Sequence, residues 1–253
     1  MKISVLSSGS GGNSTVIQSD SGSILIDAGL SAKKLLERLE SVGADPCSIT
    51  GLVITHDHID HISGAGVTAR KLKIPVYIHK ENYETSAEKF EKCEIKFIED
   101  QFNIGDFNII PVPISHDGTA NFAYTITSGG KKISHITDIG SVTGIVKHRI
   151  LGSDLIVLES NHDDQMLKNG PYPWYLKQRI ASNTGHLSNH SAGDLIKATG
   201  AVGLKNLILA HLSKENNDPF LALDAMTIVK EENNLLFNIS VARQEKALEF
   251  IEV

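Results

Sequence analysis

The chain has 253 residues, of which 41% are hydrophobic and 21% charged, and its formal net charge is −6. Together with a mean hydropathy of −0.07, this length is typical of one large globular domain. No run reaches the roughly 18 apolar residues that cross a bilayer, and the N-terminus turns polar too early for a secretory signal, which predicts a cytoplasmic protein. The negative charge argues against nucleic-acid binding through global charge, but it leaves a local basic groove open.

Short apolar runs bounded by glycine and serine predict strands in the first half of the chain, and amphipathic runs predict helices. Ser31 is a suitable N-cap for the first helix, which carries Leu35, Leu36 and Leu39 on one face. The first half is predicted to hold strands at 3–6, 15–18, 24–26, 51–54 and 76–78, and helices at 31–42, 63–72 and 80–90.

The second half continues the alternation of strands and helices, with no linker at which the chain would be divided. A single domain over residues 1–253 is therefore expected. Cys47 and Cys93 form no CxxC pattern, which predicts reduced, buried thiols rather than a disulfide or a structural zinc site. The second half is predicted to hold strands at 107–114, 122–127, 132–136, 155–158 and 206–210, and helices at 172–181, 191–199 and 219–230.

A dense group of metal-binding residue types follows the strand at 51–54. Within seven residues, Thr55 to His61, the chain places three histidines and two aspartates. Open α/β structures place their chemistry in loops just past the carboxyl ends of strands. Imidazole nitrogens and carboxylate oxygens are ligands that zinc and related cations accept. The segment therefore predicts a metal-binding loop.

Four later residues have the same position just beyond an apolar strand, and we expect them to meet this loop at one sheet edge. Isolated histidines elsewhere, namely His79, His135 and His148, are expected to be solvated loop residues. The four strand-end residues are His116, Asp138, Glu159 and His211.

The succession of HxHxDH, a distant His, a distant Asp and a last His resembles the signature of the metallo-β-lactamase superfamily. The resemblance covers nearly the whole chain and implies an α/β fold, an αββα sandwich of two mixed sheets packed face to face with helices outside. It implies that one ion is held by His56, His58 and His116, a second by Asp60, His61 and His211, with Asp138 bridging them. Asp27 would support the HxHxDH loop by hydrogen bonds.

This resemblance implies two divalent cofactor ions and a hydrolase. Zinc or manganese is expected, and iron or nickel would also suit such ligands. A metal-bridging hydroxide would be the nucleophile, with Asp60 and Asp138 orienting it. His186, in the loop before a predicted helix, would protonate the leaving group or contact phosphate.

Three polar segments suggest a phosphate-containing substrate. The Gly/Ser loop between the first two strands offers backbone N–H groups and hydroxyls to an anion, although a plain hairpin connection is an alternative. Aromatic residues alternate with cations in segment 172–179, which would stack bases and contact phosphates, or would form an amphipathic helix that docks Trp174 on the core. The predicted substrate-binding residues are Ser8, Ser10, Asn13, Trp174, Lys177, Arg179, Ser188 and Asn189.

The segments SGSGGNS, YPxxLKxRI and GHLSN together make the chain similar to the YycJ/WalJ group of that superfamily. That resemblance implies a metal-dependent phosphodiesterase with 5'-to-3' exonuclease activity on DNA. A β-CASP insertion would not fit into 253 residues, so substrate contacts must come from the core's own loops or from a second subunit of a homodimer. A glyoxalase-II-like thioesterase or lactonase, and a non-catalytic metal-binding protein in cell-wall signalling, are the alternatives.

Overall fold

Two seven-stranded sheets packed face to face, with helices on both outer surfaces, make up the fold in a computed structural model that describes residues 1–98 and 100–253. The first sheet has the order β14-β1-β2-β3-β4-β5-β6. Its strands are β1 (Lys2–Ser7), β2 (Ser14–Gln18), β3 (Ser23–Ile26), β4 (Ile49–Val53), β5 (Val76–His79), β6 (Ile95–Ile98) and β14 (Ile251–Glu252).

The second sheet has the order β13-β12-β11-β10-β9-β8-β7. Its strands β10 to β13 pair in parallel, as β3 to β6 do in the first sheet. The carboxyl ends of parallel strands lie at one edge of a sheet, so this topology gathers several loops at one place. The strands are β7 (Phe102–Ile104), β8 (Phe107–Pro113), β9 (Phe122–Ser128), β10 (Lys131–Ile136), β11 (Leu155–Glu159), β12 (Asn206–Ala210) and β13 (Asn238–Val241).

Three apolar layers hold the sandwich together. The central layer lies between the sheets, where Ile24 and Val53 of the first sheet share a cluster with Tyr124 and Val157 of the second. The outer layers pack helices onto each sheet. The helices are α1 (Ala32–Ser41), α2 (Ile59–Ile62), α3 (Ala65–Leu72), α4 (Lys80–Ser86), α5 (Gly144–Ile150), α6 (Asp164–Asn169), α7 (Trp174–Ile180), α8 (Asn189–Thr199) and α9 (Pro219–Glu232).

The predicted αββα sandwich is confirmed, and the predicted strands and helices recur with shifts of a few residues. Ser31 caps α1 by accepting a hydrogen bond from the N–H of Lys34. Seven elements that are short or lie at sheet edges are not predicted from the sequence, namely β6, β7, β13, β14, α2, α5 and α6. Edge strands are often very short and carry charged residues, so their apolar pattern is weak.

Two smaller predictions are corrected by burial. Both cysteines are free, but Cys47 is exposed and Cys93 half-buried. His135 is not a solvated loop residue, because it lies on β10 between the sheets, where its Nε2 is 3.1 Å from Thr15 Oγ1. In the part of the chain that the structure describes, no helix is both long enough and apolar enough to cross a bilayer.

Candidate metal centre

The topology gathers the predicted metal-binding residues at the edge where the strands end. Asp27 directly follows β3, and the loop from Thr55 to His61 follows β4. From the second sheet, Glu159 ends β11 and His211 directly follows β12. Each sheet therefore supplies part of one cluster.

Three left-handed backbone conformations occur within this cluster. Asp27, Asp138 and His211 have φ values of 59°, 57° and 55°. For residues other than glycine, this conformation costs roughly 1–2 kcal/mol. Strain of this kind concentrates at functional sites, where the surrounding fold imposes it.

One group of donors contains only histidines. His56, His58 and His116 each place a ring nitrogen within 4.8 Å of the others. His116 Nε2 lies 3.3 Å from His58 Nδ1. The structure thus brings together the residues expected to hold the first ion.

A second group contains Asp60, His61 and His211, whose donor atoms also lie within 4.8 Å of one another. Asp60 Oδ2 is 3.6 Å from His61 Nε2 and 3.8 Å from His211 Nε2. These are the residues expected to hold the second ion.

Asp138 lies between the two groups. Its Oδ2 is 3.3 Å from His61 Nε2, and its Oδ1 is 3.9 Å from His116 Nε2. Three buried side-chain atoms of the cluster have no hydrogen-bond partner among the residues that the structure describes, namely His56 Nε2, Asp138 Oδ2 and His211 Nε2. Buried polar atoms without partners are costly, and a bound cation would satisfy them. The donor set therefore fits two divalent ions that share Asp138.

Charge in the cluster also favours cations. Burial lowers the pKa of His56, and the neighbouring histidines lower it further, so this imidazole stays neutral. Burial also lowers the pKa of His61, but the carboxylates of Asp138 and Asp27 outweigh it and raise the value to about 9. Burial raises the pKa of Asp60, but contacts with His211 and His61 bring it below its usual range. With these pKa values, protons on histidines balance the negative charge of the carboxylates. A divalent ion would displace those protons and balance that charge instead.

Asp27 supports the HxHxDH loop as the sequence analysis expected. One carboxylate oxygen accepts a hydrogen bond from the N–H of Thr55 at 2.9 Å. The other oxygen lies 2.9 Å from Thr55 Oγ1 and 2.8 Å from His61 Nδ1. Holding Nδ1 directs the Nε2 of His61 toward the donor cluster.

Glu159 plays the corresponding part in the second sheet, a role that the sequence analysis did not assign. It is fully buried. Its Oε1 lies 2.7 Å from His186 Nδ1 and 2.9 Å from His211 Nδ1. Its Oε2 accepts hydrogen bonds from the N–H groups of Ile139 and Leu187, at 2.8 and 3.2 Å. One carboxylate thus fixes three loops of the site.

Asp57 is the acid of the loop that has no predicted ligand role, and its contacts explain why. Its Oδ2 accepts hydrogen bonds from Thr85 Oγ1 at 2.7 Å and from Thr119 Oγ1 at 2.5 Å. These bonds tie the loop to α4 and to the segment after His116. Asp57 is therefore a structural residue of the loop.

A cleft of about 180 Å³ opens beside the cluster. His186 and His211 form part of its wall, and Tyr172, Leu176 and Arg179 form another part. Burial lowers the pKa of His186, but the Glu159 carboxylate outweighs it and raises the value. The Glu159 carboxylate thus favours the protonated form of the imidazole that faces the cleft.

The Gly/Ser loop mostly supports the metal centre. Ser8 Oγ accepts a hydrogen bond from the N–H of His211 at 2.7 Å. Asn13 Nδ2 lies 3.1 Å from Asp60 Oδ2, and Asn13 Oδ1 accepts a bond from the N–H of Gly9. Ser10 is the member of the predicted trio that lines the cleft.

Ser188 and Asn189 are at least nine-tenths buried and serve internal contacts. Ser188 caps α8 by accepting a bond from the N–H of Ser191. The side-chain oxygen and nitrogen of Asn189 bond to Asn217, and its oxygen also bonds to Ser160. This network corrects the prediction that the pair contacts substrate.

Helix α7 contains no buried residue. Trp174 is 71% exposed, so the alternative that it packs into the core is wrong. Lys177 donates a hydrogen bond to the carbonyl oxygen of Lys168. Among the residues that the structure describes, the wall of the cleft includes neither Lys177 nor Trp174. Of the three predicted residues on this helix, Arg179 is the one in the cleft.

Comparison with known proteins gives the same picture over most of the chain. The family model for the "Metallo-beta-lactamase superfamily" matches residues 8–149. The chain is 35% identical over 237 residues to a Bacillus anthracis protein named "Exodeoxyribonuclease YycJ", covering 92% of this chain and 90% of that protein. It is 35% identical over 243 residues to a Streptococcus pneumoniae protein named "Exodeoxyribonuclease WalJ", covering 91% and 87% of the two chains.

Among solved structures, the metallo-beta-lactamase fold protein YhfI from Bacillus subtilis superposes with a TM-score of 0.75. The match covers 98% of this chain and 99% of YhfI, at 21% sequence identity. At this identity the likeness establishes the fold.

Proposed function

This chain belongs to the metallo-beta-lactamase superfamily, and on that premise we propose that it is a two-metal phosphodiesterase that degrades DNA from a strand end. The observation that carries the proposal is the adjacency of the donor cluster to a cleft with cationic and aromatic walls. The relatives that match about nine-tenths of the chain are named exodeoxyribonucleases. DNA as substrate would place the enzyme in the cytoplasm.

The residues divide into two ligand sets with a shared carboxylate. His56, His58 and His116 would hold one ion, and Asp138 would contact both. Two divalent ions at such a site supply an activated water and neutralise the charge that builds up on a phosphate. Zinc and manganese both suit these nitrogen and oxygen donors. The second ion would be held by Asp60, His61 and His211.

Asp60 and Asp138 also restrict where a substrate phosphate can lie. Both carboxylates face the donor cluster, so negative charge on a phosphate is tolerated only where cations offset it. This requirement aligns the scissile phosphate with the ligand sets. Asp60 and Asp138 would therefore affect catalysis in two ways, by holding the ions and by restricting the position of the substrate phosphate.

His186 is suited to donate a proton to the leaving oxygen. Glu159 holds its Nδ1–H, which leaves Nε2 as the nitrogen that faces outward. Its ring centroid lies 5.1 Å from that of His116 and 5.2 Å from that of His211, at the border between cluster and cleft. A proton donor at this position contributes roughly 10²-fold or more to turnover.

The chain's own loops build this cleft, and we propose that one domain acts without an inserted substrate-binding domain. Whether a homodimer forms stays a prediction.

The test uses purified protein stripped with a chelator and reloaded with zinc or manganese. It is incubated with end-labelled single- and double-stranded DNA and RNA, and the products are sized over time. Release of mononucleotides from one end of DNA supports the proposal. Intact nucleic acids and intact bis-p-nitrophenyl phosphate would reject it, and hydrolysis of S-lactoylglutathione instead would assign the site to thioester chemistry.

A further inference from the structure

An ion pair joins α7 to the edge of the metal centre. Arg179 Nε donates a hydrogen bond to Asp117 Oδ2 at 2.6 Å. The other oxygen of Asp117, Oδ1, lies 3.5 Å from His58 Nε2 and 3.5 Å from His116 Nε2. The guanidinium is thus separated from two histidines of the first group by one carboxylate.

The ion pair between Arg179 and Asp117 contributes too little to folding stability to explain its presence at this place. The side chain of Arg179 is 59% exposed and that of Asp117 is 26% exposed. Exposed ion pairs contribute about 0–1 kcal/mol, because solvent screens them. Moreover, an aspartate beside the candidate ligands adds negative charge at the entrance for an anionic substrate, unless a cation offsets it.

The bond through Nε leaves the rest of the guanidinium available. Nη1 and Nη2 of Arg179 make no hydrogen bond among the described residues, and these two groups carry four of the five N–H donors of an arginine. Tyr172 and Leu176 stand in the same cleft wall. Guanidinium donors next to an aromatic ring match a phosphate with its neighbouring base.

From this arrangement we propose that Arg179 binds the phosphate next to the scissile phosphate of a nucleic-acid strand, and that Asp117 is a positioning residue for its guanidinium. The inference rests on the proposed function. A flanking phosphate is favoured over the scissile one, because Asp117 stands between Arg179 and the histidines that would hold the ion.

The experiment compares two substrates of matched chemistry. The p-nitrophenyl ester of thymidine 5'-monophosphate has a single phosphodiester, whereas a short oligothymidylate also has flanking phosphates. Arg179→Gln should raise the KM for the oligonucleotide about tenfold to a hundredfold, the loss expected for hydrogen bonds to a charged group. The ratio of kcat/KM between oligonucleotide and ester should fall by at least about tenfold.

Asp117→Asn and Arg179→Lys test the positioning role. The first keeps the guanidinium but weakens its anchor, and the second keeps the charge but loses the Nε contact. Both should raise the KM for the oligonucleotide by less than Arg179→Gln does, with little change in kcat. The control is Lys168→Gln, which removes an exposed cation at the end of α6, outside the cleft wall, and should change the KM less than about twofold.

Binding is measured separately, by fluorescence anisotropy of a labelled oligothymidylate with metal-free protein. Arg179→Gln should weaken binding by at least about tenfold. An unchanged dissociation constant, or an equal loss of activity on both substrates, overturns the role of Arg179. If the wild-type protein binds the oligonucleotide through Arg179 but cleaves nothing, the proposed function fails and the phosphate contact stands.

Discussion

Replacing Glu159 by glutamine should weaken both the fold and its affinity for metal. One end of this carboxylate faces two imidazole N–H groups, and the other faces two backbone N–H groups. Glutamine has the same shape, but one of its ends is an NH₂ donor. As long as both imidazoles keep their Nδ1 protons, donors face donors at one end whichever way the amide turns, and two hydrogen bonds are lost.

The size of the effect follows from burial. Glu159 has no exposed surface, so water cannot replace the lost bonds. Hydrogen bonds to a charged group contribute about 1.5–3 kcal/mol each, and losing two should lower the free energy of unfolding by about 3 kcal/mol or more. For a chain of this length, that corresponds to a fall in Tm of about 6–12 °C. Zinc affinity should fall about 10–100-fold, because the orienting partner of His211 is lost.

Two measurements check this prediction: thermal unfolding with chelator present, and zinc titration against a chromophoric competitor. Asp163→Asn is the matched control. It removes the charge of a side chain that accepts bonds from two backbone N–H groups at the start of α6. Because the amide oxygen of asparagine caps a helix about as well as a carboxylate does, the change should cost less than about 1 kcal/mol and leave zinc affinity unchanged. Wild-type zinc affinity in Glu159→Gln would refute the role assigned to Glu159.

Three further predictions concern charge, strain and close packing. Because the Asp138 and Asp27 carboxylates overcome burial and raise the pKa of His61 to about 9, zinc added to the metal-free protein at pH 7.5 should release at least about one proton per chain. An indicator dye in weak buffer measures this release, which should vanish from His61 above pH 9; no release at pH 7.5 would contradict it. His211→Gly should be about 1 kcal/mol more stable than His211→Ala in urea unfolding with chelator, because His211 has a φ of 55°. Equal stability of the two variants would show that the strain is relieved elsewhere. Gly29→Ala should cost about 1–3 kcal/mol and lower the bound metal, since a Cβ there would lie 1.6 Å from the carbonyl oxygen of Asp60. Gly144→Ala, whose Cβ would meet no described residue within 4 Å apart from its own chain neighbours and helix backbone, should be neutral by the same assay.

Local sequence was sufficient to predict most of the donor cluster. The HxHxDH segment is contiguous, and each distant donor comes shortly after an apolar strand, so strand ends alone brought His116, Asp138 and His211 to one edge. The supporting role of Asp27 and the division of the donors into two ligand sets came instead from the resemblance to the metallo-β-lactamase signature. The strand-end predictions needed only the rule that parallel strands end at a common edge.

Contacts between distant loops could not be predicted in this way. Glu159 bonds to residues 27 and 52 positions away, and Asp117 meets Arg179 across 62 positions. Nothing local distinguishes an asparagine that faces solvent from one in a buried network. Asn189 was therefore expected in the substrate site, although its amide bonds to Asn217.

The support of the two donor groups differs, which has consequences for how they bind cations. His61 and His211 belong to the same group but follow strands of different sheets, and each is held by a buried carboxylate of its own sheet, Asp27 or Glu159. In the other group, His56 Nδ1 meets the hydroxyl of Thr55 at 2.9 Å and His116 Nδ1 meets a backbone carbonyl at 3.1 Å. A carboxylate partner makes an imidazole a more basic ligand than a neutral partner does. The group with Asp60 should therefore bind a cation more tightly. Because that cation would join both sheets, its binding free energy adds to the stability of the whole sandwich.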